Sequence, residues 1–185
     1  MIHSLLEDVV RNDGGPAQLA AVRAIMSEQH GGKDPFTKVQ AFASALGQSR
    51  KMTTKDVYRF LCAGIASPVI RAFPALMRSS RTASSLLSHI NKFAPAVLDA
   101  LLPGVTCPEF DVELLGQANV RLRFVSSEEA AAAIEGAIVG IAAHFNEAAE
   151  CSWSASASTL PDRRVLDVLI KAPRISLSPS GKGAG

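Results

Sequence analysis

The chain has 185 residues, 48% of them apolar and 19% charged, which is long enough for one domain with a real core and too apolar for a disordered chain. The formal net charge is +2, from 19 basic and 17 acidic residues, and there is one Trp and one Tyr, so no nucleic-acid face and no base-stacking platform is expected. Three scattered cysteines, Cys62, Cys107 and Cys151, make no CxxC pair, which argues against a structural zinc motif and suits a reducing, cytoplasmic setting.

The opening MIHSLLEDVV carries acids by residue 7 and no long apolar run, so it does not resemble a signal peptide. IHSLLEDVVRN has apolar residues at helical spacing, and NDGG is expected to end that helix. Pro16 then sits where a new helix starts, carried on by AQLAAVRAIM. HGGKD, with His30, reads as a loop, and PFTKVQAFASALG as a helix stopped by Gly47. TTKDVYRFLCAGIA begins with Thr53 and Asp56 at capping spacing. Pro68 is expected to start the next helix, PVIRAFPALM, which Pro74 kinks or ends.

RTASSLLSHINKFAPAVLDALLPG is the longest helical pattern. Its apolar stripe runs through Leu86, Leu87, Ile90, Phe93, Ala94, Val97, Leu98 and Leu101. Pro95 lies within it and removes a backbone donor, so a kink is expected between Asn91 and Pro95.

After Gly104 the periodicity changes from helical to alternating. FDVELLG and NVRLRFV read as strands joined through Gly116, Gln117 and Ala118. The helix from Ala130 to Phe145 follows; Glu135 interrupts it, and it is shorter than the roughly 20 residues a bilayer requires. Ser126 and Glu129 stand at the spacing of a capping box at its start. Its many Ala and Gly residues are expected to let it lie close against a sheet, and His144 is a favourable cation at its end. CSWSASAS and RVLDVLIKA complete the set as strands, with TLPDR turning between them.

The fold class is therefore α+β: an N-terminal helical lobe, residues 1–104, followed by a ββαββ four-stranded antiparallel sheet, residues 105–172. Residues 173–185, rich in Ser, Pro and Gly, are expected to be a flexible tail or linker.

The stretches IHSLLEDVVRNDGG, FPALMRSSRTASSLLSHINKF, LPGVTCPEF and VRLRFVSSEEAAAAIEGAIVGIAAHF, in this order and spacing, resemble the haem–nitric oxide/oxygen binding family, H-NOX. The resemblance implies a sensor domain in which a histidine of the long helix binds haem iron. It also implies a Tyr-x-Ser-x-Arg motif at a strand-to-helix junction that holds the haem propionates, a task the planar guanidinium fork suits.

Carried over residue by residue, the junction here is Phe124-Val125-Ser126-Ser127-Glu128. The ring survives at Phe124, Ser126 matches, and the arginine position holds Glu128, a carboxylate that repels propionates. Counted from FPAL or back from LPGV, the iron-ligand position falls on Phe93, Ala94 or Pro95, none of which ligates iron. His89, about one turn earlier, lies off the centre of the apolar stripe and reads as a flanking residue, with Ala94 near its middle.

The reading that follows is a sensory or regulatory signalling domain with no cofactor expected. It takes an apolar small-molecule ligand, or a signalling protein or downstream effector domain, and involves no nucleic acid and no membrane. The cleft is assigned to Phe73, Met77, Leu86, Ile90, Phe93, Ala94 and Val97, with Phe124 and Ser126 at the junction; close-packed core is the competing account of the apolar ones. The alternative is a haem-binding gas sensor with a non-standard axial ligand: His89 as the metal ligand, or in principle Cys62 or Cys107. An interaction module signalling through the C-terminal linker is a third reading. An enzyme is not expected: there is no Ser/His/Asp set at motif spacing, no phosphate loop around the Gly-Lys of SPSGKGAG and no paired His-Glu metal motif.

Overall fold

The structure is a computed structural model that describes residues 1–28, 34–78, 80–154 and 162–172, with the side chains of Leu76 and Met77 left out. His30 with most of its loop, the far end of the third strand pattern and the 173–185 tail lie outside the described residues. Helix α1 (Ile2–Glu28) is two helical stretches meeting at a kink within NDGG, where the sequence places the end of the first. The interruption is confined to Gly15, at φ 74°, a left-handed value that glycine adopts without a Cβ penalty, and Pro16 resumes the helix.

Helix α2 (Pro35–Arg50) is capped by Asp34, which accepts from the Thr37 amide at 2.9 Å. It continues past Gly47; Lys51, at φ 55°, takes the left-handed cap position and donates its N–H back to the Gly47 carbonyl. Helix α3 (Thr54–Ala72) starts as its sequence indicates, with Thr53 accepting from the Asp56 amide at 3.2 Å and donating to the Asp56 carboxylate at 2.7 Å.

Pro68 does not start a helix. It lies inside α3, which ends at Ala72 just before Pro74. A buried helix would be broken there, but Pro68 removes only the donor to the Gly64 carbonyl, and Gly64 is exposed, so water can take that bond.

The long helical pattern divides earlier than Pro95. After the short α4 (Ala75–Arg78), α5 (Ala83–Leu87) is separated from α6 (Ile90–Leu101) by Ser88 and His89. The chain tightens there: the His89 amide donates to the Leu86 carbonyl at 3.0 Å and the Lys92 amide to the His89 carbonyl at 2.9 Å, both three residues back. Ser88 Oγ also donates to the Ser85 carbonyl at 2.8 Å, competing with the helix for its acceptor. Pro95 lies inside α6 on an exposed face.

Strands β1 (Asp111–Leu114), β2 (Asn119–Val125), β3 (Ala148–Ser154) and β4 (Arg163–Lys171) form one antiparallel sheet in the order β1-β2-β4-β3. The alternation in β2 sends Val120, Leu122 and Phe124 inward, beside Leu166, Val168 and Ile170 of β4. The outer face carries charges that pair across strands. Arg121 grips Asp167 through Nε at 2.6 Å and Nη2 at 3.3 Å, and Arg123 bonds Asp111 and Glu113.

Helix α7 (Glu128–His144) connects β2 to β3; Ala131, Ile138, Ile141 and Ala142 pack into the core of the inner sheet face, and its glycines approach helix α3. A Cβ on Gly136 would stand 2.1 Å from the Arg59 carbonyl oxygen, and one on Gly140 2.3 Å from that of Ala63. Lys55 pairs with Glu128, Arg59 with Glu135 and Ser67 with His144, so the two helices run in the same direction with polar pairs along their seam.

Two apolar cores result. One gathers the inner sheet face with Leu86, Leu87, Ile90 and α7; the other gathers α1, α2 and much of α3. Helix α6 bridges them: Ile90, Phe93 and Ala94 pack on the first, Val97 and Leu101 on the second. Full burial of a side chain such as Leu122 or Leu166 contributes about 2 kcal/mol each.

Candidate functional site

The β2–α7 junction is built from the backbone outward. The Ser126 amide donates to the Asp162 carbonyl at 3.1 Å, tying the end of β2 to the turn before β4, and Ser126 Oγ donates to the Ser127 carbonyl at 3.1 Å. The cap of α7 is Ser127, not Ser126: Ser127 Oγ accepts from the Ala130 amide at 3.3 Å. The chain offers two adjacent serines and two adjacent glutamates, and engagement of the Ser126 amide by Asp162 selects the later frame.

Glu128 is the first residue of α7, and its carboxylate is ion-paired with Lys55 in the first turn of α3. The hydrogen bond from Lys55, reinforced by its charge and more weakly by that of Arg164, holds the Glu128 carboxyl below its ordinary range. The Phe124 ring is buried, 5.3 Å from the Phe110 ring and 6.1 Å from the Trp153 ring. Trp153 Nε1 donates at 3.0 Å to Glu135 Oε2, which also accepts from Arg59 Nη2 at 3.1 Å, so one carboxylate joins α7, α3 and β3. Nothing in the sequence motifs pointed to Lys55, Arg164 or this Glu135 hub; the only signal was the interruption of an apolar helix by Glu135.

The other assigned residues divide between the two cores. Leu86 and Ile90 are buried with Phe124 in the sheet core, and Phe93 and Ala94 pack against it. Phe73 and Val97 pack against the helical core. Met77 lies on α4, and its side chain is outside the described set.

His89 sits in the α5–α6 turn, half-buried, with Nδ1 2.9 Å from the Ser85 carbonyl oxygen and 3.0 Å from Ser88 Oγ. A carbonyl only accepts, so Nδ1 carries the proton and the neutral ring keeps its lone pair on Nε2. His144 is engaged elsewhere, its Nδ1 2.9 Å from Ser67 Oγ. The amino end of α5 is held by Glu147, whose Oε2 accepts from the Ala83 amide at 2.8 Å.

Burial pushes the Cys62 thiol up to about 12, and Cys107 is also raised by burial. Cys151 goes up to about 11 through burial, with Glu135 adding and Arg59 opposing. Concavities of about 350 Å³ and about 650 Å³ lie by Leu115 and Leu169 and between α1 and α3. The residues assigned to the cleft line neither of them. Among the described residues, no group of three His, Cys, Asp or Glu could hold a metal ion, and no helix is long and apolar enough to cross a membrane.

A helical N-terminal part and a ββαββ antiparallel sheet, with a strand-to-helix junction between β2 and α7, define an α+β domain. The family model described as Haem-NO-binding matches residues 1–153, and the chain belongs to that family, H-NOX. Comparison with curated proteins finds no match. Solved structures agree on the fold. An H-NOX protein from S. oneidensis in the Fe(II)NO ligation state is 20% identical, with 92% of this chain and 97% of that chain covered and a TM-score of 0.72. Fe(II) unliganded H-NOX from K. algicida is 15% identical, with 94% and 96% covered and a TM-score of 0.70. The IWP-051-bound H-NOX from Shewanella woodyi in the Fe(II)CO state is 19% identical, with 98% of each chain covered and a TM-score of 0.69.

Proposed function

We propose that the chain is a cytoplasmic sensory or regulatory signalling domain of the H-NOX family that works without conventional haem ligation. It binds an apolar ligand or a signalling partner, with residues 1–172 as the working unit. The observation that carries this reading is the Glu128 carboxylate, ion-paired with Lys55 at the junction where the family resemblance places a propionate-holding arginine.

Haem does not fit these residues in the conventional way. Haem carries two carboxylates, and Glu128 brings a third charge of the same sign to their place. The positions matched to the iron ligand offer nothing better: Phe93 and Ala94 pack against the sheet core and Pro95 is exposed. Leu86, Ile90, Phe93, Ala94 and Phe124 supply the apolar surface at the sheet core, with Phe73 and Val97 at the helical core and Ser126 at the junction; Met77 belongs to this set by its place in the sequence.

One observation favours a second reading, a gas sensor with a non-standard axial ligand. Donation from His89 Nδ1 to the Ser85 carbonyl leaves Nε2 as an acceptor, the arrangement a metal-ligating imidazole requires. Hemin titration of the purified protein separates the two. The first reading expects a broad absorption band without one-to-one saturation. A sharp Soret band saturating at one equivalent, lost in His89→Ala, would establish the second.

A further inference from the structure

One cation pairs with Glu128 at the junction, and the charge of a second acts on it more weakly. Lys55 is its ion-pair partner. Arg164 stands on β4 directly opposite Phe124 in the antiparallel register, so its side chain leaves the sheet on the face from which the Phe124 ring projects. Its charge reaches the Glu128 carboxylate, and its Nε is shut from solvent without a hydrogen-bond acceptor among the described residues. A buried guanidinium N–H that lacks an acceptor is costly and marks a place where an acceptor would be stabilising. The apolar group open beside it is Trp153, 42% exposed, at the end of a row whose other rings, Phe110 and Phe124, are buried.

We infer that Lys55 and Arg164 form a carboxylate-receiving site that Glu128 occupies from within the chain. Glu128 thereby determines specificity at the junction: it turns away the head group of an apolar acid and is indifferent to a neutral apolar ligand. This deepens the proposed function and rests on it. The two are separable, because hemin reports on haem and a small acid reports on residue 128 alone.

The experiment is calorimetric titration of benzoate and of benzyl alcohol into the full chain at fixed ionic strength, for the natural protein and for Glu128→Gln. Glu128 is half-exposed, its side chain at 53%, so the variant should fold, which circular dichroism checks; Glu128→Ala is the second variant. Benzoate is expected to bind Glu128→Gln at least about tenfold tighter than the natural chain, about 1.4 kcal/mol, with benzyl alcohol unchanged. Adding Lys55→Gln or Arg164→Gln to Glu128→Gln is expected to abolish the gain. The inference is overturned if benzoate binds the natural chain and Glu128→Gln equally or binds neither. It is overturned equally if benzyl alcohol gains as much as benzoate, or if the gain survives loss of either cation.

Discussion

Gly136 of α7 lies against the carbonyl of Arg59 on α3 so closely that a Cβ would stand 2.1 Å from its oxygen, and the nearest atoms are backbone, which cannot swing aside. This contact sets the distance between the two helices and so positions Glu128 beside Lys55 and Glu135 beside Arg59. Gly136→Ala therefore forces the helices apart. Overpacking costs about 1–3 kcal/mol, and alanine's better helix propensity offsets up to about 1 kcal/mol. The expected net loss is about 2 kcal/mol in urea denaturation. Gly116 has open space where its Cβ would go, so Gly116→Ala is expected to stay within about 0.5 kcal/mol. Equal effects at the two positions would mean that the seam is not in backbone contact.

Asn91 opens α6 and reaches the segment before β1 with both ends of its amide: Nδ2 donates to the Phe110 carbonyl, and Oδ1 accepts from the Phe110 amide at 3.0 Å. Phe110 is 5% exposed, so neither backbone group has water as an alternative partner. Asn91→Ala strands both and is expected to cost about 2 kcal/mol. Asn91→Asp keeps the acceptor but sets a carboxylate oxygen against the Phe110 carbonyl, so it should cost at least as much as Asn91→Ala at pH 7. A cost for Asn91→Ala below about 0.5 kcal/mol would show that the segment before β1 is held by other contacts.

The strands and most helices were legible because alternation and helical spacing are local properties of the chain. What the sequence did not show is which neighbour a surface meets. The small residues of α7 announce a close approach without saying that the alanines meet the sheet core and the glycines meet α3. The Ser88–His89 break escaped notice because it comes from side chains competing for the Ser85 carbonyl, whereas proline was the visible breaker. Pro68 is tolerated where the residue whose carbonyl it deprives, Gly64, is exposed, which depends on tertiary position. At the junction the departures from the family motif were readable at Phe124 and Glu128. The partners that give Glu128 its meaning, Lys55 and Arg164, come from 73 residues earlier and 36 residues later in the chain.

Asp167 should shape the acid limb of stability. Hydrogen bonds from Arg121 first and Ser154 second hold its carboxyl below the ordinary 3.8. A carboxyl lowered in the folded state contributes stability that is present above its unfolded value and lost as pH falls through the folded value. The contribution is therefore complete at neutral pH and begins to fade as pH drops toward 3.8. Asp167→Asn is expected to be less stable than the natural chain at pH 7, with the gap narrowing below pH 4. Urea midpoints from pH 7 to pH 2.5 at constant salt measure it. A constant gap would remove Asp167 from the acid transition.

The thiols should report opening of the fold residue by residue. Burial puts Cys62 at about 12 against an ordinary 9.0, which cuts its thiolate fraction near pH 8 about a thousandfold. Cys62 also lies on α3, the helix that α7 covers most extensively, and its thiol is partly buried, so opening of that seam is expected to speed its reaction. Cys107, outside any helix or strand and less strongly shifted, should be alkylated first by iodoacetamide at pH 8, then Cys151, then Cys62. Peptide mass spectrometry at timed intervals gives the order. In Gly136→Ala the Cys62 rate should rise with the lost stability while the Cys107 rate stays fixed, because only the first depends on the seam. If Cys62 in the folded natural chain reacts as fast as Cys107, α3 and α7 are not closed on one another in solution.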